Sequence, residues 1–294
     1  MTQAQTSVAC AAAIAVMAGA ADAQKGPAAA DVIPAVRTYL AGYAPRVSGV
    51  TLDEQYTLLD VSGGRIITTR RLASDLILLN VAGKVVGLRD AYALDENPLR
   101  ERTPRITSLL ARPSQAAWDQ ALALAAATFR HLQDELTARL NDPALALQFA
   151  SPANEGRVTW KIDGKKKIAG VDTIGLRFEE TKKKTPDYII ETRGKASATG
   201  RLWVDPVTGG VFRTELSMQS PSEFARIAVD YARDATLDLL LPAAMVDTYE
   251  SSEVVGTGMS NMGAGSPGVA RRSFDCRASY SNPRLTPIDL SVPK

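Results

Sequence analysis

The residues able to act as bases, nucleophiles or metal ligands are few. The chain holds one histidine, His131, and two cysteines, Cys10 and Cys276. A Ser–His–Asp or Cys–His set would have to use His131, since the imidazole is the base in such sets. His131 falls in the middle of a helical pattern, nothing around it in sequence supports catalysis, and it reads as a helix-surface residue. Zinc sites draw on clusters of His and Cys, which these three residues do not form. Glu179-Glu180 project to opposite faces of a strand and cannot act as a carboxylate pair. Gly256-Thr257-Gly258 lacks the third glycine and the following helix of a dinucleotide-binding loop, and reads as linker. A P-loop, a calcium loop and a G-x-S-x-G elbow are absent. The expectation is a non-enzymatic protein with no cofactor and no metal.

Charge narrows the partners. Lys and Arg number 34 against 32 Asp and Glu, a net charge of +2. Nucleic-acid binding needs a basic excess on one face, so it is not expected. Lys165-Lys166-Lys167 and Lys182-Lys183-Lys184 read as solvated turns at hairpin ends. The alternative is a basic rim at one end of the sheet, facing anionic head groups. The stretch 255–268 is rich in Gly and Ser and joins two strands. Its Met259 and Met262 are candidates for an apolar flap over a cavity, because methionine adapts to irregular surfaces.

The N-terminus has the pattern of an export signal over residues 1–23. Val8–Ala20 is a run of small apolar residues, shorter than the roughly 20 needed to span a bilayer. Ala21-Asp22-Ala23 places small residues at the −3 and −1 positions of a cleavage site before Gln24. Residues 2–7 carry no Lys or Arg, so the α-amino group alone supplies positive charge there. If Cys10 leaves with the signal, Cys276 is the one remaining thiol, and it alternates with Phe274, Ala278 and Tyr280 on the apolar side of a strand. It reads as a buried, inert thiol. No other stretch is apolar and long enough to cross a membrane. The expected location is periplasmic or secreted, with 24–294 forming one α+β domain.

Periodicity supplies the elements that would position any site. Asp31–Tyr43 reads as a short helix with Asp31 as N-cap and Pro34 in its first turn. A three-strand meander follows within 31–112: Arg46–Leu59, Arg65–Leu79 and Val85–Leu94. The continuously apolar Leu76–Leu79 reads as buried on both faces. Within 113–142, Ser114 is the N-cap of a long helix with Trp118, Leu122, Ala125, Phe129, Leu132, Leu136 and Leu140 on one stripe. Strands then follow through 156–282, near Arg157–Ile162, Lys167–Glu180, Asp187–Thr192, Gly200–Asp205, Gly210–Met218, Glu223–Tyr231, Pro242–Ser251 and Val269–Ser281. Ile174, Leu176 and Phe178 share a face, as do Phe212, Leu216 and Met218. Such alternation marks an antiparallel sheet with one wet face and one apolar face.

The hairpin Leu202-Trp203-Val204-Asp205-Pro206, followed by Gly210-Val211-Phe212-Arg213, is similar to one in the bacterial periplasmic lipoprotein-carrier superfamily. The order of helix, meander, central helix and long strand train resembles that superfamily too. Ile227–Tyr231, Leu241–Met245 and Tyr280-Ser281-Asn282 also resemble uncharacterised exported bacterial proteins. The resemblance implies an unclosed barrel of antiparallel strands that binds acyl chains between sheet and helices. No position matches the superfamily's ligand-gating arginine, so no functional residue is carried over.

The fold expected is α+β: a strongly curved antiparallel sheet, or half-barrel, with the long helix packed on its concave face. The partner expected is a lipid or other apolar ligand held between the two. Candidate lining residues are Trp118, Leu122 and Phe129 from the helix, and Trp160, Phe178, Phe212, Met245 and Phe274 from the strands. Plain core is the competing reading of each, since helix-on-sheet packing needs such residues. The rival function is a cell-envelope module with a solid core that binds or senses a protein.

Overall fold

The computed structural model describes residues 28–130, 140–181, 189–190, 197–220, 223–255 and 268–288. The export-signal segment, His131, Lys182–Lys184, Met259 and Met262 lie outside them. Helix α1 spans Ala29–Val47. Asp31 sits at the third helical position, where its carboxylate accepts from the Ala28 N–H at 2.8 Å. The N-cap is therefore Ala28, three residues before the expected one, and the helix continues to Val47, so the first strand starts at Val50. Strands β1 (Val50–Ser62), β2 (Arg65–Val81) and β3 (Lys84–Leu94) form the expected meander, and β4 is the short Asn97–Pro98. Helices α2 (Arg105–Leu110) and α3 (Gln115–Phe129) follow. The Ser114 hydroxyl caps α3, accepting from the Ala117 N–H at 3.1 Å.

The second block comprises β5 (Val158–Ile168), β6 (Val171–Glu180), β7 (Ser197–Val204) and β8 (Val211–Gln219). It continues with β9 (Glu223–Asp234), β10 (Leu239–Val255) and β11 (Gly268–Leu285). Lys165–Lys167 lie inside β5 rather than in a turn, because the chain reverses later, at Ala169-Gly170. Of the expected strand Asp187–Thr192, residues 189–190 are bends and the rest lie outside the described residues. Pro242 is tolerated in β10 because the β9 register slips beside it, between Pro242 and Ala244.

All these strands join one antiparallel sheet in the order β4-β3-β2-β1-β11-β10-β9-β8-β7-β6-β5, which does not close. Helix α1 touches β2 and β3 near one end of this order, β10 in the middle and β5 at the other end. Laid flat at about 4.8 Å per strand, β3 and β5 would stand about 43 Å apart. A helix of this length reaches only about 28 Å, so the sheet must curl around α1.

The curled face carries the main core. Val32, Val36, Leu40 and Val47 of α1 pack with Leu76, Leu78, Leu176, Phe178, Phe212, Met245, Tyr249, Phe274 and Cys276. Phe149, in the 3-10 segment Leu145–Ala150, stacks on Phe178 with ring centroids 4.6 Å apart. Gly200, the register partner of Phe178, permits this: a Cβ there would sit 2.4 Å from the Phe178 ring.

Helix α3 is not on that face. Its Ala121 and Ala125 join Ile77, Leu79, Leu88, Ile106, Leu110 and Ile288 in a second cluster. Alternate residues of a strand point to opposite faces, so Leu76 and Leu78 serve the α1 side while Ile77 and Leu79 serve the α3 side. The expected two-sided burial of Leu76–Leu79 is correct, and α3 occupies the second side. The helix that fills the curl is α1.

Candidate functional site

The curled face does not fill solidly everywhere. A cavity of about 310 Å³ opens between α1, the β2–β3 turn and the 3-10 segment. Leu40, Ala41 and Ala44 form the α1 wall, Leu147 and Pro152 the opposite wall, and Val85 the sheet side. The space exists because so many of the facing residues are small: Ala41, Ala44, Ala82, Gly83 and Ala153. Ala82 and Gly83 both take positive φ, the conformation of a two-residue type I′ hairpin turn. The Asn80 side chain accepts from the Gly83 N–H at 2.9 Å and fixes that turn. Lys84, Gln148 and Ser151 bring polar atoms to the rim. Lys84 is exposed and carries no ion pair among the described residues.

The segment that leads into the 3-10 wall is held by a buried polar network. Glu54 and Arg89, at 0% and 1% exposure, pair through two hydrogen bonds of 2.6 and 2.8 Å. The Ser74 hydroxyl donates a third to Glu54, at 2.6 Å. The remaining Arg89 Nη1 donates to the carbonyl of Asn141. Asp142 accepts from the N–H groups of Gly87 and Ala144 at 3.1 and 2.9 Å, and the Tyr231 hydroxyl donates to the Pro143 carbonyl at 2.6 Å. Residues 141–144, which lead into the cavity wall, are thus tied to β3 and β9 by side chains.

Desolvation favours the neutral form of Arg89, but the Glu54 carboxylate outweighs it and raises the pKa, so the guanidinium stays charged. Burial pushes the Asp142 carboxyl up, against its two backbone hydrogen bonds. Asp247 lies on the same face. Burial pushes its carboxyl up to about 6, against the lowering influence of the Tyr249 and Tyr56 hydroxyls and of Arg89. The Tyr56 hydroxyl donates to Asp247 at 3.0 Å. Among the described residues, no group of His, Cys, Asp or Glu could hold a metal ion, and no helix is long and apolar enough to cross a membrane.

The cavity lies elsewhere than the eight candidate lining residues. Phe178, Phe212, Met245 and Phe274 are together in the main core, at 0%, 6%, 1% and 3% exposure. Trp160 packs against the same core, 5.5 Å from Phe178. Trp118 borders the second cluster on the opposite face, and Leu122 points outward, 40% exposed. Phe129 ends α3, with its side chain outside the described set. The small residues that line this cavity carry no periodic signal, since Ala and Gly fit either face of any element. The network did leave one. Glu54 lies in phase with Leu52, Tyr56 and Leu58, and Asp247 with Met245 and Tyr249, so both are charges on apolar faces.

No family model and no curated protein matches the chain. Among solved structures it is similar to a domain assigned as an outer membrane lipoprotein-sorting protein in Vibrio parahaemolyticus. That match has 10% identity over 90% of this chain and 94% of the other, with a TM-score of 0.43. It is also similar to a DUF1329 family protein from Desulfovibrio piger, at 13% identity over 90% and 95% of the two chains and a TM-score of 0.33. A third is a LolA superfamily protein from Nitrosomonas europaea, at 10% identity over 88% and 94% and a TM-score of 0.33. Two of the three descriptions name lipoprotein sorting or the LolA superfamily.

Proposed function

We propose that this is an exported binding protein that holds an acyl chain or similar apolar ligand in the cavity between α1, the β2–β3 turn and the 3-10 segment. The observation that carries the reading is the cavity itself. Its volume is at the lower end of the range typical of ligand sites, and its walls are aliphatic. Lys84 stands at the rim, where an ammonium would pair with the carboxylate or phosphate end of an acyl ligand. The export pattern at residues 1–23 supports a periplasmic or secreted setting for such a ligand.

The test is direct. Residues 24–294 are purified, extracted with organic solvent and analysed by mass spectrometry, and a fluorescent fatty acid is titrated into the stripped protein. Co-purified acyl lipid and saturable probe binding are expected. The substitution Ala41→Trp, at an exposed α1 position on the cavity wall, is expected to block the probe while leaving the fold intact. Absence of both lipid and probe binding overturns the proposal.

A further inference from the structure

The outward face of β5–β9 carries a second concavity, a groove of about 410 Å³ on the opposite side of the sheet from the cavity. Its charges are arranged unfavourably for the protein alone. Lys161 of β5 pairs in register with Arg177 of β6, and Arg177 with Arg201 of β7. Three cations thus stand directly opposite one another in one cross-strand row. Like charges in that relation destabilise a sheet.

The inner part of the patch is neutralised. Arg201 pairs with Asp163 and, at 3.4 Å, with Glu215. Arg213 pairs with Glu215 at 3.1 Å and with Asp230 at 2.6 Å. Lys161, Arg177 and Arg226 are exposed and carry no ion pair among the described residues. Arg226 has only its stacking over Phe224, at 5.7 Å. Glu179, the register partner of Thr199, sets one negative charge at the β6 end of the neighbouring row, against the three unpaired cations Lys161, Arg177 and Arg226.

On the outward face of β1–β3, Arg102 and Arg284 both bind Asp53 and Asp75, and Arg100 and Arg105 both bind Asp90. These four arginines are matched with acids, as Arg201 and Arg213 are, whereas Arg177 and Arg226 are not.

The floor of the open groove is polar and shallow. Thr199 and Ser217 are register partners, and Ser217 is in turn the partner of Arg226. Both hydroxyls are half-buried and neither has a hydrogen-bond partner among the described residues. Two guanidinium forks flanking two free hydroxyls match an oxyanion with several acceptor oxygens. We propose that this groove binds a phosphate group, seated on Thr199 and Ser217 between Arg177 and Arg226, with Lys161 adding charge at the edge strand. The phosphate can belong to a free solute or to a phospholipid head group.

The experiment uses the full mature chain at low salt. Inorganic phosphate is titrated while backbone amide resonances of Thr199 and Ser217 are followed. In parallel, co-sedimentation is measured with phosphatidylglycerol vesicles and with phosphatidylcholine vesicles. Saturable shifts of both amides assign a free phosphate. Sedimentation with phosphatidylglycerol but not phosphatidylcholine assigns a head group. In either arm R177Q/R226Q is expected to weaken binding by about thirtyfold, from roughly tenfold per 1.4 kcal/mol and about 1 kcal/mol per cation. Arg112→Gln, which removes the same charge from an exposed site elsewhere, is expected to change it less than twofold. No binding in either arm, or equal loss in R112Q and R177Q/R226Q, overturns the proposal. The fatty-acid measurement is independent of this result, since the two sites lie on opposite faces.

Discussion

Replacing Glu54 with alanine should be among the most damaging single changes in the chain. Glu54 is fully buried, and it is the carboxylate partner of an Arg89 guanidinium that is itself fully buried. Removing it leaves a cation in the core with one carbonyl, that of Asn141, as its remaining hydrogen-bond acceptor. The Ser74 hydroxyl loses its acceptor as well. Breaking one side of a buried pair costs about 3–5 kcal/mol. For a chain of this size each kcal/mol lowers Tm by about 2 °C or slightly more, so E54A should melt roughly 6–12 °C below the parent. The pair as a whole is a different matter, because its Coulomb attraction is set against two desolvation penalties. The double variant E54L/R89M, similar in volume and apolar, should recover at least half of the loss. Urea unfolding of the parent, E54A, R89M and E54L/R89M completes the cycle. A loss below 1 kcal/mol in E54A, or a double variant no more stable than E54A, would refute the reasoning.

Asp247 predicts a pH dependence. Its carboxyl stands at about 6 in the fold against an ordinary value of 3.8, so the folded state holds the proton more tightly than the unfolded state. The resulting stability is fully present below pH 3.8 and is lost as pH rises through 6, by roughly 3 kcal/mol in all. The difference in urea midpoint between parent and Asp247→Asn should change with that sign between pH 4 and 7.5, and a constant difference would contradict it. Lys84→Glu should weaken a fluorescent fatty acid by about tenfold without moving Tm, a cost of order 1 kcal/mol for reversing a rim charge. An unchanged affinity would place the carboxylate elsewhere. Gly200→Ala should destabilise by roughly 1–3 kcal/mol, because the added methyl meets the Phe178 ring and the Glu215 carbonyl; calorimetry within experimental error of the parent would show that the ring has room to move.

Much of the sheet was legible because its residues alternate. Ile174, Leu176 and Phe178 point into the core and Arg177 and Glu179 point out, as do their counterparts in β8 and β11. The side taken by α3 was not legible. Leu76–Leu79 offers apolar residues to both faces, so periodicity gives a helix two equivalent seats and only the tertiary structure chooses. The extension of α1 to Val47 was hidden by Pro45, which is tolerated in the helix near its end. The cavity was illegible for a further reason. It is defined by missing volume, and alanines at Ala41, Ala44 and Ala153 look the same in a sequence whether they face a hole or a neighbour.

The position of β11 bears on how fast the molecule assembles. Every other strand pair in the order joins neighbours along the chain, in two local runs, β1 to β4 and β5 to β11. Among the described residues, the pairing of β1 with β11, which sets Val50 against Leu285, is the one seam between them. Each run can zip up from short-range contacts, whereas the seam requires a closure across almost the whole polypeptide, which is entropically the dearest contact in the sheet. Refolding should therefore show a fast phase within each run and one slow phase that joins them. Cys276, buried on β11 beside Leu58, is a natural reporter of that last step: its protection from a thiol reagent should appear with the slow phase.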